Sequence, residues 1–368
     1  MFFKSRNTEN RSLSFGSGSN EIGLSFVNGH AVIGMSVISP EVALRNSDIY
    51  SCVMLISSDL ASAEFRMKTG EDDNLIRLLQ LRPNQLTNSF AFWQTVIQDL
   101  LLNGNAYCLI YRNGDAPYKL EYIPTYDVEV NLTDDGQTLF YNIRFNRDKR
   151  SDMVAASDSI LHFKLLSRDG IIGISPLHSL IPELNLQKSS YKTTLNVVQH
   201  GLRPSGVLQV NNGARLDKKS RDSIRNKFEE SNSGDNAGRV MITDPLMTFT
   251  PTQLDSNVME VLKETDWTRQ QIAKAFGIPT NYLQDEAEHS NQTQIQGLYS
   301  ICLNRYVNAI VSEINYKLVN KGEEVTLDTS NVVDPDNLML LNGLSTAVHW
   351  GMYSADQAQK IMKEKGAD

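Results

Sequence analysis

Between Asp255 and Leu318 the chain spells two helices interrupted by a break, and few folds accommodate that pattern. In the first helix Val258, Leu262, Thr265, Ile272 and Phe276 recur at steps of three and four, with Arg269 interrupting the run, which places one apolar stripe on one face. Gly277 and Pro279 then stop it, because Gly suits a C-terminal cap and Pro cannot continue a helix. Residues Thr280 to His289 are polar and acidic, with Tyr282 and Leu283 as the large apolar side chains. A second helix is expected to open at Ser290 or Asn291, either of which can cap it. Ile295, Leu298, Cys302, Tyr306, Ile310 and Ile314 keep helical spacing to Leu318, a rod of about 42 Å at the usual rise. Periodicity alone reads as two packed helices of a globular core.

A chain of 368 residues has room for two or three domains. Its net charge of −8 disfavours a free-standing nucleic-acid binder, which is usually basic. Cys52, Cys108 and Cys302 lie far apart in apolar surroundings without a C-x-x-C pair, so they read as buried thiols rather than a disulfide framework or zinc site. No run of eighteen apolar residues occurs, so no membrane span is expected, and the first residues carry no hydrophobic signal core.

Residues 1–46 open with a Ser/Gly/Asn-rich tract and read as a flexible arm. Ser47 is placed as the cap of a helix facing inward through Ile49, Cys52, Val53, Ile56, Leu60 and Ala63. A short helix over Asn74–Leu81 precedes a longer one capped by Thr87, with Phe92, Trp93, Val96, Ile97, Leu100 and Leu101 buried and Gly104 past its end. The period then changes to two. Tyr107, Leu109 and Tyr111 alternate with Ala106, Cys108 and Ile110, and Asn113-Gly114 signals a hairpin. Further strands are expected at Lys119–Ile123, Asp127–Asn131, Leu139–Phe145 and Ile160–Leu165, an antiparallel, hairpin-rich sheet.

After Asp169-Gly170 the chain turns into a helix carrying Leu184, Tyr191, Leu195 and Val198, with Pro182 in its first turn or at a kink. Residues 203–253 read as a small inserted unit with strands at Val207–Val210, Val240–Thr243 and Met247–Pro251. Its helix, Leu216–Glu230, bears Lys218, Lys219, Arg221 and Arg225, part of the densest basic run in the chain. A solvated face explains most such runs; contact with an acidic partner is the sharper alternative. A strand at Glu324–Leu327 and two helical segments, one from Pro335 through Leu338, Leu341 and Leu344 and one with Ala355, Ala358 and Ile361, close the chain.

Catalytic signatures are sparse. There is no Walker A pattern and no H-E-x-x-H, the six histidines show no ligand spacing, and Gly173-Ile174-Ser175-Pro176-Leu177 lacks the second Gly of a nucleophile elbow. Asp285, Glu286 and Glu288 lack calcium-loop spacing. No catalytic residue, metal or cofactor is assigned.

Four phrases share a common likeness. The first runs from Ala43-Leu44 through Tyr50, Cys52-Val53 and Ile56 to Asp59-Leu60-Ala61-Ser62; the second joins Leu81-Arg82-Pro83-Asn84 to Phe92-Trp93 and Leu101-Leu102-Asn103-Gly104-Asn105-Ala106-Tyr107. The third is Gly201-Leu202-Arg203-Pro204-Ser205-Gly206-Val207-Leu208, and the fourth Ile272-Ala273-Lys274-Ala275-Phe276-Gly277-Ile278-Pro279. In this order they resemble the portal proteins of tailed bacteriophages. The resemblance implies an α+β fold and a ring, usually of twelve subunits, at one capsid vertex, through which double-stranded DNA enters and leaves. It implies a wing at residues 47–175, stem helices at 176–202 and 254–277, and a clip at 203–253. It further implies a tunnel loop at 278–289, a long wing helix at 290–320, and a C-terminal wing or crown segment at 321–368.

On that map Leu184, Tyr191, Leu195, Val258, Leu262, Ile272 and Phe276 pack the stem in the ring. Lys218, Lys219, Arg221 and Arg225 dock the terminase motor or a head–tail adaptor. Tyr282, Leu283, Gln284, Asp285, Glu286 and Glu288 line the channel. The implied partners are copies of the chain, the terminase large subunit, the adaptor, the major capsid and scaffolding proteins and passing DNA, with no membrane; the implied place is the virion, after assembly in the host cytoplasm. Two alternatives remain: another head-completion or connector component, and an enzyme with an unmarked site.

Overall fold

The computed structural model describes residues 25–27, 30–32, 39–133, 136–145, 150–201, 206–210, 217–231, 247–251, 257–279 and 292–364. The chain forms two compact units, one of Met1–Ile181 with Ile272–Asp368, the other of Pro182–Gln271.

In the expected N-terminal arm, β1 (Ser25–Val27) and β2 (His30–Val32) pair as an antiparallel hairpin. Asn28-Gly29, a strong turn signal, separates them in the sequence. The rest of the arm before Ser39 lies outside the described residues. After α1 (Pro40–Ala43), α2 runs over Ser47–Ser62 with the expected inward face fully buried. Its cap is Asn46 rather than Ser47: the Asn46 Oδ1 accepts from the amides of Asp48 (3.0 Å) and Ile49 (3.1 Å). β3 (Glu64–Thr69) is a strand that the sequence reading missed. α3 (Asp73–Ile76) continues as a π-helical turn at Arg77–Leu81, where the single Asn74–Leu81 helix was expected. α4 (Ser89–Asn103) is capped by Asn88 rather than Thr87, which hydrogen-bonds Asn84 instead.

β4 (Asn105–Asn113), β5 (Ala116–Ile123), β6 (Val128–Leu132), β7 (Leu139–Ile143), β8 (Met153–Ala156) and β9 (Ile160–Lys164) form two three-stranded antiparallel sheets, ordered β5-β4-β9 and β6-β7-β8. From Asn105 to Ile110 β4 is buried on both faces, because α4 packs on the strand and a second core lies between the sheets. Tyr107, Leu109, Ile123, Tyr141, Ile143, Ala155 and Ile160 fill that second core. Alternation of two equally apolar sets along β4 is the signature of such a strand.

The expected helix after Asp169-Gly170 begins as a 3₁₀ turn at Pro176–Leu180, followed by α5 (Ile181–Gly201) with Pro182 in its first turn. β10 (Gly206–Val210), α6 (Lys218–Ser231) and β11 (Met247–Pro251) follow, then α7 (Asn257–Phe276) and α8 (Gln292–Lys317). The strand expected at Val240–Thr243 lies outside the described residues. β12 (Glu324–Asp328) pairs antiparallel with β3, joined by Lys68–Glu324 (3.0 Å) and Arg66–Asp328 (3.2 Å) ion pairs, so two distant segments close one unit. α9 (Ser330–Val333), α10 (Leu338–His349) and α11 (Ala355–Glu364) end it.

α8 lies on β9 and β12. Its last turns are held by charge. Lys317 Nζ sits 2.6 Å from Glu313 Oε1 and donates to the Ile160 carbonyl, Glu313 accepts from the His162 amide (2.9 Å), and Arg112 donates to the Lys317 carbonyl (2.8 Å). This ion pair is buried, and its extra hydrogen bonds offset the desolvation cost that would otherwise make it unfavourable. Leu298, expected on the inner stripe of α8, is instead exposed, one step round the helix from buried Tyr299 and Cys302.

A polar knot fixes the turn into α5. Asn105 donates from Nδ2 to the Gly173 carbonyl (2.8 Å) and accepts at Oδ1 from the Gly173 amide (2.7 Å). Oδ1 also meets His162 Nε2 at 3.0 Å, and Tyr141 OH meets Nδ1 at 3.1 Å. Because Oδ1 can only accept, Nε2 carries the proton and Nδ1 accepts from Tyr141. Backbone packs directly on backbone here: a Cβ on Gly104, whose φ is +74°, would lie 2.4 Å from the Ile174 carbonyl carbon. The Ser175 hydroxyl donates to the Leu102 carbonyl.

Burial holds the His162 pKa well below its ordinary value, with Lys164 and Lys317 acting in the same direction. The folded state keeps this imidazole neutral while the unfolded chain binds a proton below about pH 6.5, so stability falls as pH drops through that value. Asp99 works oppositely: burial raises its pKa despite hydrogen bonds from Thr125 and Asn103, so acidification relieves its cost. We expect the wild type to lose up to about 1.4 kcal/mol per pH unit from His162 below pH 6.5. Urea unfolding at pH 7.0, 6.0 and 5.0 should show a shallower slope for His162→Gln; equal slopes would remove the assignment.

Candidate functional site

The second unit runs from Pro182 to Gln271. The chain leaves on α5 and returns on α7; each spans about 30 Å at the helical rise. Between them β10 and β11 pair antiparallel from Gly206 opposite Pro251 to Val210 opposite Met247. α6 lies between these two strands in the chain.

Burial on α5 and α7 is inverted. On α5, polar Gln187 and Ser190 are buried at 3% and 7% exposure, while Tyr191 and Leu195 are 55% and 54% exposed. Leu184 is half-buried. On α7, Thr268 is buried and Trp267 is 47% exposed. The Val258 and Leu262 side chains lie outside the described residues. Ile272 and Phe276 require a correction: they were expected in stem packing between copies, but both are fully buried in the first unit and cannot reach a neighbouring chain. The reason is the length of α7, whose last turn runs into that unit's core.

Asp217 caps α6, its carboxylate accepting from the Ser220 amide (2.9 Å), which lowers the Asp217 pKa. Lys218, Lys219, Arg221 and Arg225 are all exposed on this helix. Arg225 lies 3.8 Å from Asp222, a solvated contact that leaves the charge available. The structure thus brings the four basic residues together.

The junction of α7 and α8 is tightly built. Gly277, at φ +75°, donates to the Lys274 carbonyl (3.0 Å), and Ile278 donates to Ala273 (2.9 Å), the paired bonds of a Schellman cap. Tyr306 OH donates to the Phe276 carbonyl at 2.7 Å, with Cys302 Sγ at 3.5 Å from the same oxygen. Burial pushes the Cys302 thiol up to about 11 and raises the Tyr306 hydroxyl as well, so both remain neutral donors. Ile278 is buried beside this anchor. The expected channel residues Tyr282, Leu283, Gln284, Asp285, Glu286 and Glu288 lie outside the described residues, as do the expected caps Ser290 and Asn291. α8 begins at Gln292.

A family model described as phage portal protein matches residues 47–362. The chain belongs to this family. It is 22% identical over 276 residues to the portal protein of Enterobacteria phage HK97, covering 73% of this chain and 63% of that protein. It is 25% identical over 226 residues to an uncharacterized protein of Rickettsia felis, covering 59% and 58%. The chain thus spans less than two thirds of these relatives' lengths. Among solved structures, the neck of a native gene transfer agent particle with C12 symmetry aligns at a TM-score of 0.64 and 19% identity, over 87% of this chain and 91% of that one. An HK97-family portal protein from Corynebacterium diphtheriae aligns at 0.61 and 15%, over 82% and 98%. The fold is that of a portal protein, mixed helix and sheet as the sequence implied.

Sequence reasoning passed over Trp267 and Leu186 as exposed apolar groups of the second unit; only their burial singles them out. It also passed over Tyr306 as an anchor, since its helical spacing marks any core residue. Tyr306→Phe leaves the buried Phe276 carbonyl short of its best donor and should cost about 1–2 kcal/mol. It should also speed amide exchange at Gly277 and Ile278 relative to α4; unchanged exchange there would deny the anchor.

Proposed function

We propose that the chain assembles into a closed ring of twelve copies at one vertex of a phage-like capsid, where double-stranded DNA passes through its lumen during packaging and ejection. The single observation that carries this reading is the inverted burial of α5, with Gln187 and Ser190 inside and Tyr191 and Leu195 outside. A helix that buries an amide and a hydroxyl and exposes an aromatic and a leucine one turn apart is incomplete as a single chain. A neighbouring copy related by rotation covers such a stripe, and a heterologous contact whose rotation closes gives a finite ring. The C12 symmetry of the gene transfer agent neck supports twelve as the number. Leu184, Tyr191, Leu195, Val258 and Leu262 are the stem contacts of this reading, and Trp267 joins them.

Residues 278–289 form the tunnel loop. Phe276 is tied to Cys302 and Tyr306, so the loop leaves beside residues that lie about 15 Å along α8 from Gln292. Residues 280–291 reach about 40 Å when extended, far more than that gap requires. The surplus favours a projecting loop with Tyr282, Leu283 and Gln284 near its tip. Repeated around a ring, Asp285, Glu286 and Glu288 repel phosphates and keep the strand sliding, where fixed cations would bind it through counterion release.

The exposed Lys218, Lys219, Arg221 and Arg225 of α6 form the clip surface, which docks the terminase large subunit or a head–tail adaptor. The chain is a conduit rather than a catalyst, placed in the virion among major capsid and scaffolding proteins after assembly in the host cytoplasm.

Native mass spectrometry with negative-stain imaging tests the ring. Annular particles near twelve times the 41.3 kDa chain mass are expected, and Tyr191→Glu with Leu195→Glu should shift them to single chains. A wild type that stays at 41.3 kDa at high concentration, without annuli, overturns the reading. In assembled rings, reversing Lys218, Lys219 and Arg225 should weaken capture of motor or adaptor at least about tenfold without loss of rings. Deleting residues 284–288 should lower packaged or retained DNA while rings persist; full activity in either variant removes that role from its site.

A further inference from the structure

Between Leu165 and Ser175 the chain makes a surface turn whose middle is held to the sheet by few bonds. Its ends are pinned: the Leu165 amide donates to the Gly104 carbonyl (2.9 Å), and the Ser175 hydroxyl donates to the Leu102 carbonyl. In the middle, Asn105 makes its two bonds to Gly173, and Lys164 Nζ donates to the Gly170 carbonyl (2.9 Å) at the surface. Other bonds are internal to the turn. Ile174 donates to the Leu166 carbonyl (2.7 Å), and the Asp169 carboxylate accepts from the amides of Ile171 (2.8 Å) and Ile172 (3.0 Å). Asn105 in turn leans on His162, which is 1% exposed and uses both ring nitrogens, Nε2 toward Asn105 and Nδ1 toward Tyr141.

This arrangement fits a neutral imidazole and has no room for a second proton. A proton on Nδ1 meets the Tyr141 hydroxyl hydrogen head on, and that hydroxyl has no other hydrogen-bond acceptor among the described residues. Charge around the ring opposes it too. Lys164 of β9 and Lys317 of α8 both act on His162 as positive neighbours. The carboxylate that reaches His162 from α8, Glu313, is taken by Lys317 (2.6 Å) and by the His162 amide (2.9 Å). The aromatic walls are Tyr107 of β4, its ring centroid 4.5 Å away, and Tyr141 of β7; burial raises both hydroxyls, so both stay neutral.

We propose that His162 is a proton-operated latch: its protonation releases Gly173 from Asn105 and opens residues 166–175 locally, while the strands beneath stay paired. The turn is the wall that yields, because the other walls are strand ladders and the buried Glu313–Lys317 clamp, and local opening draws on the segment with fewest buried bonds. The turn's own acid does not titrate with it: hydrogen bonds from Ile172 and Ile171 hold the Asp169 carboxyl below its ordinary range, so it stays charged above pH 5. Asp99 keeps its bonds to Thr125 and Asn103 whether the turn is open or closed. The released segment directly precedes the Pro176–Leu180 turn and Ile181, where the chain passes from the first unit to the second. Acid therefore loosens the link between the units ahead of global unfolding. This inference does not rest on the ring reading.

Hydrogen exchange on the full chain, read by mass spectrometry at pH 7.0, 6.0 and 5.0 and corrected for the intrinsic rate, tests it. The closed imidazole is neutral and the opened one binds a proton below about pH 6.5, so opening grows as pH falls through that value. The slowest amides of peptides covering 166–175 should lose about twentyfold in protection between pH 7.0 and 5.0. That loss should persist unchanged in low urea that speeds exchange in α4, since a local opening exposes little surface. His162→Gln, which can still donate to Asn105, should keep protection within about twofold over the same range. Constant wild-type protection of 166–175 from pH 7.0 to 5.0 overturns the latch. So does a loss that follows α4 in both pH and urea, which makes the event global. A loss as large in His162→Gln assigns it to another group and overturns the latch as well. If that variant does not fold, the wild-type comparison of the turn with α4 decides alone.

Discussion

The Asn105 carboxamide holds both the carbonyl and the amide of Gly173 while accepting from His162, and through these bonds it joins three segments of the first unit. It ties the start of β4, the middle of β9 and the turn before α5 into one point, and the glycine backbones at Gly104 and Gly173 touch only because neither carries a Cβ. Such a knot has high stakes. Fully satisfied, it specifies one arrangement of three segments; with one partner lost, it leaves buried amides unpaired at a cost of about 1–3 kcal/mol each. The Ser175 hydroxyl, bonded to the Leu102 carbonyl, extends the same lock to the last residues before α5. The turn before α5 is thus set by polar chemistry within the first unit.

A second rigid point stands at the return. The Phe276 carbonyl, held by Tyr306 and Cys302, and the Gly277 cap fix the end of α7 against α8. Farther along, Glu313, Lys317 and Arg112 fasten the end of α8 to β9 and to the turn before it. Large apolar surface is buried around these anchors and left bare on α5, α10 and α2. The division is that expected of a subunit whose interior is complete and whose flanks await neighbours.

Elements with strong local signals were legible in the sequence. The α2 and α4 core faces, the Asn113-Gly114 hairpin, the Gly277 stop and the long α8 follow from periodicity and turn chemistry, which act over a few residues. Caps shifted by one residue, from Ser47 to Asn46 and from Thr87 to Asn88, because adjacent polar side chains compete for the same amides. β3 and β8 escaped notice. Glu64-Phe65-Arg66-Met67-Lys68-Thr69 is highly charged and becomes a strand because β12, more than 250 residues away, supplies its partner through Lys68 and Glu324.

The sequence by itself determined the family, through four phrases in order, and with it the fold. It also determined which helices carry an apolar stripe. Only the tertiary structure decided where each stripe goes. Tyr191 and Phe276 look alike in a helical pattern, yet one is half-exposed and the other sits in the core. Leu298 and Tyr299 are neighbours in sequence on α8, yet one is exposed and the other buried. Periodicity fixes an angle around a helix axis, and burial depends on what occupies the space at that angle, which comes from segments remote in the chain.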